Sequence, residues 1–343
     1  MQKNITLKTF IPRLGRREIF TIILLVIEIL IFSVISPNFL SVSNFRSVLR
    51  NSTDMAVVSI GMTMVILMGG VDISVGSALG VVAIIVGWLI QANVNPFLIG
   101  AVAIVVGTGI GLLNGLLITF GRIPDIIATL GMSSILRALV FGMLGGQWLT
   151  GLPEVFGPLA RGQVFGIPMS IFILGFFYTG FWYLLTHRPI GRHIYAVGNS
   201  VEAATLAGIN PRKTRILAYG ILGSLVGFAS LLYVGRLGSV EITVGNELAI
   251  SCIAAVFVGG ASVLGGRGSI IGTLAGVFFM AVMNNGIVLL GIPSLWQRAV
   301  VGALILSSVA VDLLLNRRAV LEQRRQLSRQ REAIIKSAPL MER

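Results

Sequence analysis

The residue of this chain best placed to do chemistry is Asp72, a carboxylate in the segment Gly69-Gly70-Val71-Asp72-Ile73-Ser74-Val75-Gly76-Ser77 between two apolar runs. An ionisable group at the centre of a membrane helix costs about 2.5–3.5 kcal/mol on insertion scales, so it needs a partner or water. Ser74 follows two residues later, and Asn114, Thr129, Asn284, Asn285 and Gln297 add neutral donors and acceptors to other apolar runs. Such groups suit hydrogen bonding to a polar solute, although asparagines in bundles more often serve as bonds between helices. Asp72, Ser74, Asn114, Thr129, Asn284 and Asn285 are the candidates for lining a polar path. Glu28 and Arg137 also sit inside apolar runs, where pairing with a neighbouring helix or subunit would offset their cost, whereas Asp312 lies beside Arg317 and Arg318 and can reach outward.

Bond-making chemistry has no comparable set. The chain lacks a phosphate-cradling G-x-x-x-x-G-K-[ST], an H-E-x-x-H, a G-x-S-x-G and any cysteine pair, since Cys252 is alone. His187 and His193 share one segment without nearby carboxylates, which favours solvated or hydrogen-bonded roles over metal ligation. Gly69-Gly70 and the Gly259–Ser269 segment lack the lysine of a nucleotide loop and read as helix breaks or tight connections. No catalytic residue, metal or cofactor is expected.

These side chains must be positioned by helices in a bilayer. Of 343 residues, 55% are hydrophobic and 11% charged, and the mean hydropathy is +0.93, too apolar for a soluble globule. Apolar runs near 19–36, 55–70, 73–90, 97–120, 124–145, 166–186, 214–235, 247–264, 269–290 and 296–315 give about ten spans, too long for barrel strands. The expected fold is all-α, a polytopic transmembrane helical bundle. Small residues at four-residue spacing, Gly107, Gly111 and Gly115 or Gly268, Gly272 and Gly276, would let helices approach closely. Residues 41–51 read as a short interfacial helix before the second span.

The charge of +13 reports topology and not nucleic-acid binding. Lys3, Lys8, Arg13, Arg16 and Arg17 precede the first run, and Arg317, Arg318, Arg324, Arg325, Arg329, Arg331, Lys336 and Arg343 follow the last, so both termini are expected to be cytoplasmic. The organisation is then a basic N-terminus at 1–18, a membrane domain at 19–315 and a basic tail at 316–343. The run at 19–36 has no small-x-small cleavage site and reads as a retained span. Between the sixth and seventh spans lies one long polar segment, 187–215, with Arg188, Arg192, Arg212, Lys213 and Arg215. It would share the cytoplasmic side, with six crossings before it and four after. Within it Glu202–Gly208 is a compact helix closed by glycine, followed by Pro211.

Taken in order, the motifs resemble the permease subunits of ATP-binding-cassette importers for ribose, xylose, rhamnose and autoinducer-2. The carriers are Gly61-Met62-Thr63, Gly69–Ser77, Ile123-Pro124 with Ala128–Gly131, Gly191-Arg192 with Tyr195–Asn199, Ala203-Ala204 with Gly208-Ile209, Ile253-Ala254-Ala255, Gly259-Gly260, Gly265–Gly272 and Asn285-Gly286. Gly146–Pro153 looks like the periplasmic stretch of autoinducer-2 and rhamnose permeases. The resemblance implies a multi-pass bacterial inner-membrane subunit importing a monosaccharide or autoinducer-2. It pairs with a second permease copy or a sister permease, receives solute from a periplasmic binding protein and is driven by cytoplasmic ATP-binding subunits, which bind the ATP. Ten spans would leave no room for an ATPase domain, so the chain itself is expected not to be an enzyme. Glu202-Ala203-Ala204 and Gly208 meet the importers' coupling consensus E-A-A-x-x-x-G, but its later extension is missing. The implied coupling surface is Gly191, Arg192, Asn199, Glu202, Ala203, Ala204, Gly208 and Ile209. An ion-coupled secondary transporter using Glu28 or Asp72, and a non-transporting membrane scaffold, are the alternatives.

Overall fold

The computed structural model describes residues 16–293, 295–310 and 312. The basic tail and the residues before Arg16 lie outside them, and with them all the terminal basic residues of the topology argument except Arg16 and Arg17. The helices are α1 (Arg16–Ile35), α2 (Val42–Leu67), α3 (Val75–Gln91), α4 (Pro96–Thr119), α5 (Asp125–Leu144), α6 (Gly157–Arg161), α7 (Met169–His187), α8 (Pro189–Asn199), α9 (Val201–Leu206), α10 (Pro211–Leu237), α11 (Leu248–Val258), α12 (Ile270–Leu289) and α13 (Leu295–Ala310). A hairpin of β1 (Gln163–Val164) and β2 (Ile167–Pro168) precedes α7.

Six of these helices, α1, α4, α5, α7, α10 and α12, are long and apolar enough to cross a membrane. The runs at 73–90, 247–264 and 296–315 fold as shorter apolar helices among the described residues, and Gly259-Gly260 ends the one at 247–264 early. The expected interfacial helix at 41–51 is instead the start of α2. Ser41 caps that helix, its hydroxyl accepting from the Asn44 amide, and no breaker interrupts the chain before Gly69.

The core is built on α2 and α10. From Ser52 to Leu67 every residue of α2 is buried, an all-round buried helix at the centre of the bundle. Helix α10 packs along α2, α3 and α4. Its contact with α4 is glycine on glycine: a Cβ at Gly107 would lie 2.4 Å from the Gly223 carbonyl oxygen, and one at Gly227 would lie 2.3 Å from that of Ala103. Gly272 and Gly276 make the same kind of seam with Gly259 and Ala255 of α11. The Gly107 ladder is therefore a packing seam, and so are Gly272 and Gly276, whereas Gly268 lies before α12, outside the helix. Elsewhere α1, α4, α5 and α7 turn apolar side chains outward, among them Val34, Phe97, Val105, Phe141 and Phe176, as a bilayer requires.

Candidate functional site

Three polar regions interrupt this apolar body. The first surrounds Asp72, where the chain passes from α2 to α3 with Gly69 at φ 77°. Asp72 Oδ1 accepts from the Ser74 amide at 2.8 Å and the Ser74 hydroxyl at 2.7 Å, and Oδ2 accepts from Asn114 Nδ2 at 3.1 Å. Asn114 Nδ2 also donates to Ser74 Oγ at 2.7 Å. All three residues are buried. Thr129 stands beside them, donating to the carbonyls of Asp125 at 2.8 Å and Val71 at 3.4 Å. The Tyr219 hydroxyl donates to Asp125 Oδ2 at 3.1 Å. Four of the six path candidates thus form one knot tying the glycine break to α4, α5 and α10. Asp125 belongs to it although the sequence did not single it out; its position after Pro124, opening an apolar helix, was the available signal. Because Asn114 is fully buried and holds two partners, Asn114→Leu is expected to lower thermal stability by about 3 kcal/mol or more, measured as the melting temperature of the detergent-solubilised protein. An unchanged melting temperature would show that the knot carries no load.

The other two path candidates are elsewhere. Asn285 and Asn44 exchange side-chain hydrogen bonds at 2.9 and 2.8 Å, joining α12 to α2. With Asn284 they lead to the second region, a cavity of about 680 Å³ lined by Asn51, Asp54, Arg236, Asn284, Asn285, Gln297 and others. Its floor is an ion pair, Arg236 Nη2 to Asp54 Oδ2 at 2.7 Å. Sequence reading passed over Asp54 and Arg236, since each ends an apolar run, where a charge ordinarily reaches water. Arg137, by contrast, donates to the carbonyls of Ile242 and Val244 at 3.2 and 2.8 Å, pinning the segment after α10 to α5. The Gly146–Pro153 stretch is pinned to the same segment by Leu149 and Val240, which exchange backbone bonds at 3.0 and 2.8 Å.

The third region is the polar segment 187–215, folded as α8, α9 and the start of α10. Pro189 and Pro211 open their helices, Ser200 caps α9 through the Ala203 amide, and Asn210 caps α10 through the Lys213 amide. Gly208, at φ 79°, closes α9, with Ile209 N–H bonded to the Ala204 carbonyl at 3.0 Å. Arg192, Asn199, Glu202, Ala203 and Gly208 are exposed and Ile209 half-buried, but Gly191 and Ala204 face inward. Leu206, absent from the predicted surface, is 90% exposed at the tip.

Behind that surface, α8 reaches both glycine-rich breaks. The Gly266 amide donates to the Leu67 carbonyl at 2.7 Å, and a Cβ at Gly198 would fall 1.8 Å from that carbonyl oxygen and 2.7 Å from the Gly266 nitrogen. Tyr195 donates to the Gly268 carbonyl at 2.8 Å. Burial, with a smaller contribution from the Glu18 charge, pushes the Tyr195 phenol up to about 12, so it remains a donor at neutral pH. The cavity and this junction occupy opposite parts of the bundle, since α10 runs 27 residues, about 40 Å, between Pro211 and Leu237.

Residues 44–309 match a family described as the permease component of the branched-chain amino acid transport system. The chain is 37% identical to the ribose import permease protein RbsC of Escherichia coli K12 over 296 residues, 85% of this chain and 92% of that one. It is 36% identical to RbsC of Bacillus subtilis 168, covering 84% and 90% of the two chains. The autoinducer 2 import system permease protein LsrC of Yersinia enterocolitica is 32% identical, over 82% and 78%. No solved structure matches.

Proposed function

The chain belongs to the family of branched-chain amino acid transport system permease components, and on that premise we propose that it is the membrane permease of a bacterial ATP-binding-cassette importer for a monosaccharide or the sugar-like autoinducer-2. The observation that carries this reading is the length of the match to ribose import permeases, which spans 85% of this chain and 92% of the relative. The protein sits in the inner membrane with several crossings. About ten crossings with both termini cytoplasmic remain the topology of this proposal, with α3, α11 and α13 as the short crossings beside the six long ones and α2.

In this reading solute arrives from a periplasmic binding protein at the cavity of Asp54 and Asn284, and a second permease copy or a sister permease completes the path. ATP is bound and hydrolysed by separate cytoplasmic subunits that dock on α8 and α9. Closure of those subunits would bias the bundle between two packings. The decisive assay is uptake by vesicles holding this chain with its ATP-binding and solute-binding partners. Uptake that needs ATP and ignores an uncoupler is expected. Uptake that collapses with the uncoupler at constant ATP would instead support ion coupling through Glu28 or Asp72.

Docking is expected to centre on Leu206. An aliphatic side chain this exposed on a polar, capped helix gains about 2 kcal/mol when a partner covers it, so Leu206→Ala should weaken co-purification of the ATP-binding subunits about 30-fold. Titrating solubilised permease with those subunits measures this. Equal affinities would move the contact off α9.

A further inference from the structure

We propose that the cavity between α2, α10 and α12 is itself a solute site, built for a neutral polyhydroxylated molecule and set against an amino acid. This rests on the import reading and names where, and by what chemistry, the solute is first held.

Among the described residues the lining carries two acids and two bases, already matched. Arg236 holds Asp54 at 2.7 Å on the floor, and Arg298 holds Glu247 at 2.6 Å on the rim. A zwitterionic amino acid needs a free cation for its carboxylate and a free carboxylate for its ammonium, and the cavity offers neither without breaking a pair. Hydroxyl groups face no such demand. They donate to the spare oxygens of a paired carboxylate and accept from the spare N–H groups of a paired guanidinium.

Asn284 adds a second observation. Its side-chain oxygen is buried and has no hydrogen-bond partner among the described residues, an arrangement that a bound hydroxyl or water would satisfy. Asn51 and Gln297 supply further neutral donors and acceptors, while Val48 and Met55 give an apolar wall. A sugar ring has this same division, with hydroxyls around its edge and C–H groups on its face. The volume of about 680 Å³ falls within the range of about 300–1,000 Å³ usual for small-molecule sites.

The test uses the full chain in lipid nanodiscs, with saturation-transfer NMR of D-ribose, D-xylose and L-rhamnose as probes and L-leucine for comparison. At least one sugar should give a saturable signal and leucine none. Asn284→Leu should weaken that binding at least tenfold with unchanged elution and helix content, and Gln297→Leu, at the less buried rim, should weaken it several-fold. Leucine binding as tightly as the sugars, unchanged sugar binding in both variants, or no sugar signal from the wild type would each overturn the site. The import reading fails separately: wild-type protein that binds sugar yet supports no ATP-driven uptake in the assembled importer would sink that reading and leave the site standing.

Discussion

Gly223→Val should prevent the bundle from assembling. The Cβ it introduces would stand 2.2 Å from the Gly107 carbonyl oxygen and 3.0 Å from the Gly111 Cα, both backbone atoms that cannot rotate away. Helices α4 and α10 would have to part along the whole seam of Gly107, Gly111, Gly223 and Gly227. Overpacking of one site costs about 1–3 kcal/mol, and losing the close approach of two helices adds to it, so a total above about 4 kcal/mol is expected. The yield and melting temperature of solubilised protein measure the loss. Gly109 supplies the contrast on α4, because a Cβ there meets nothing within 4 Å. Gly109→Ala should leave the protein as stable as before or raise stability by about 0.5–1 kcal/mol, the helix preference of alanine over glycine. If both variants behave alike, the seam is not what holds α4 to α10.

Gly198→Val should have the second largest effect, of a different kind. Its side chain would enter the space of the Leu67 carbonyl and the Gly266 amide and drive α8 off both glycine-rich breaks. The exposed face of α9, with Leu206, would keep its own caps, so the ATP-binding subunits should still co-purify. Uptake should fall more than tenfold while ATP hydrolysis continues, a fault of coupling and not of assembly. Tyr195→Phe removes only the hydroxyl bond to Gly268 and should lower the ratio of solute moved to ATP hydrolysed several-fold. Normal ratios in both variants would mean that α8 is a passive connector.

Much of this was legible in the chain, and the reasons are specific. The helix at Glu202–Gly208 was readable because its signals are local: alanines, a closing glycine and Pro211. The glycine ladders were readable because spacing of four marks one helix face. The facing of Ala204 and Leu206 was not, since a helix of six residues gives too few positions to fix which side is covered. The Asp54–Arg236 pair was hidden for another reason. The two residues are 182 positions apart, and at the end of an apolar run a lone charge looks like one that reaches water. Likewise Asp72, Ser74 and Asn114 were recognisable as polar groups needing partners, but nothing local said that they partner one another.

The single hydrogen bond between the Leu67 carbonyl and the Gly266 amide has a mechanical meaning. It joins the foot of α2 to the turn before α12, so both helices are tethered at one fulcrum. Asn51 lies sixteen residues up α2 from that fulcrum, about 24 Å away, and a tilt of about 5° over that arm displaces the cavity wall by about 2 Å. A small push on α8 would thus be geared up, by length alone, into a change in the width of the cavity that holds Asp54 and Asn284.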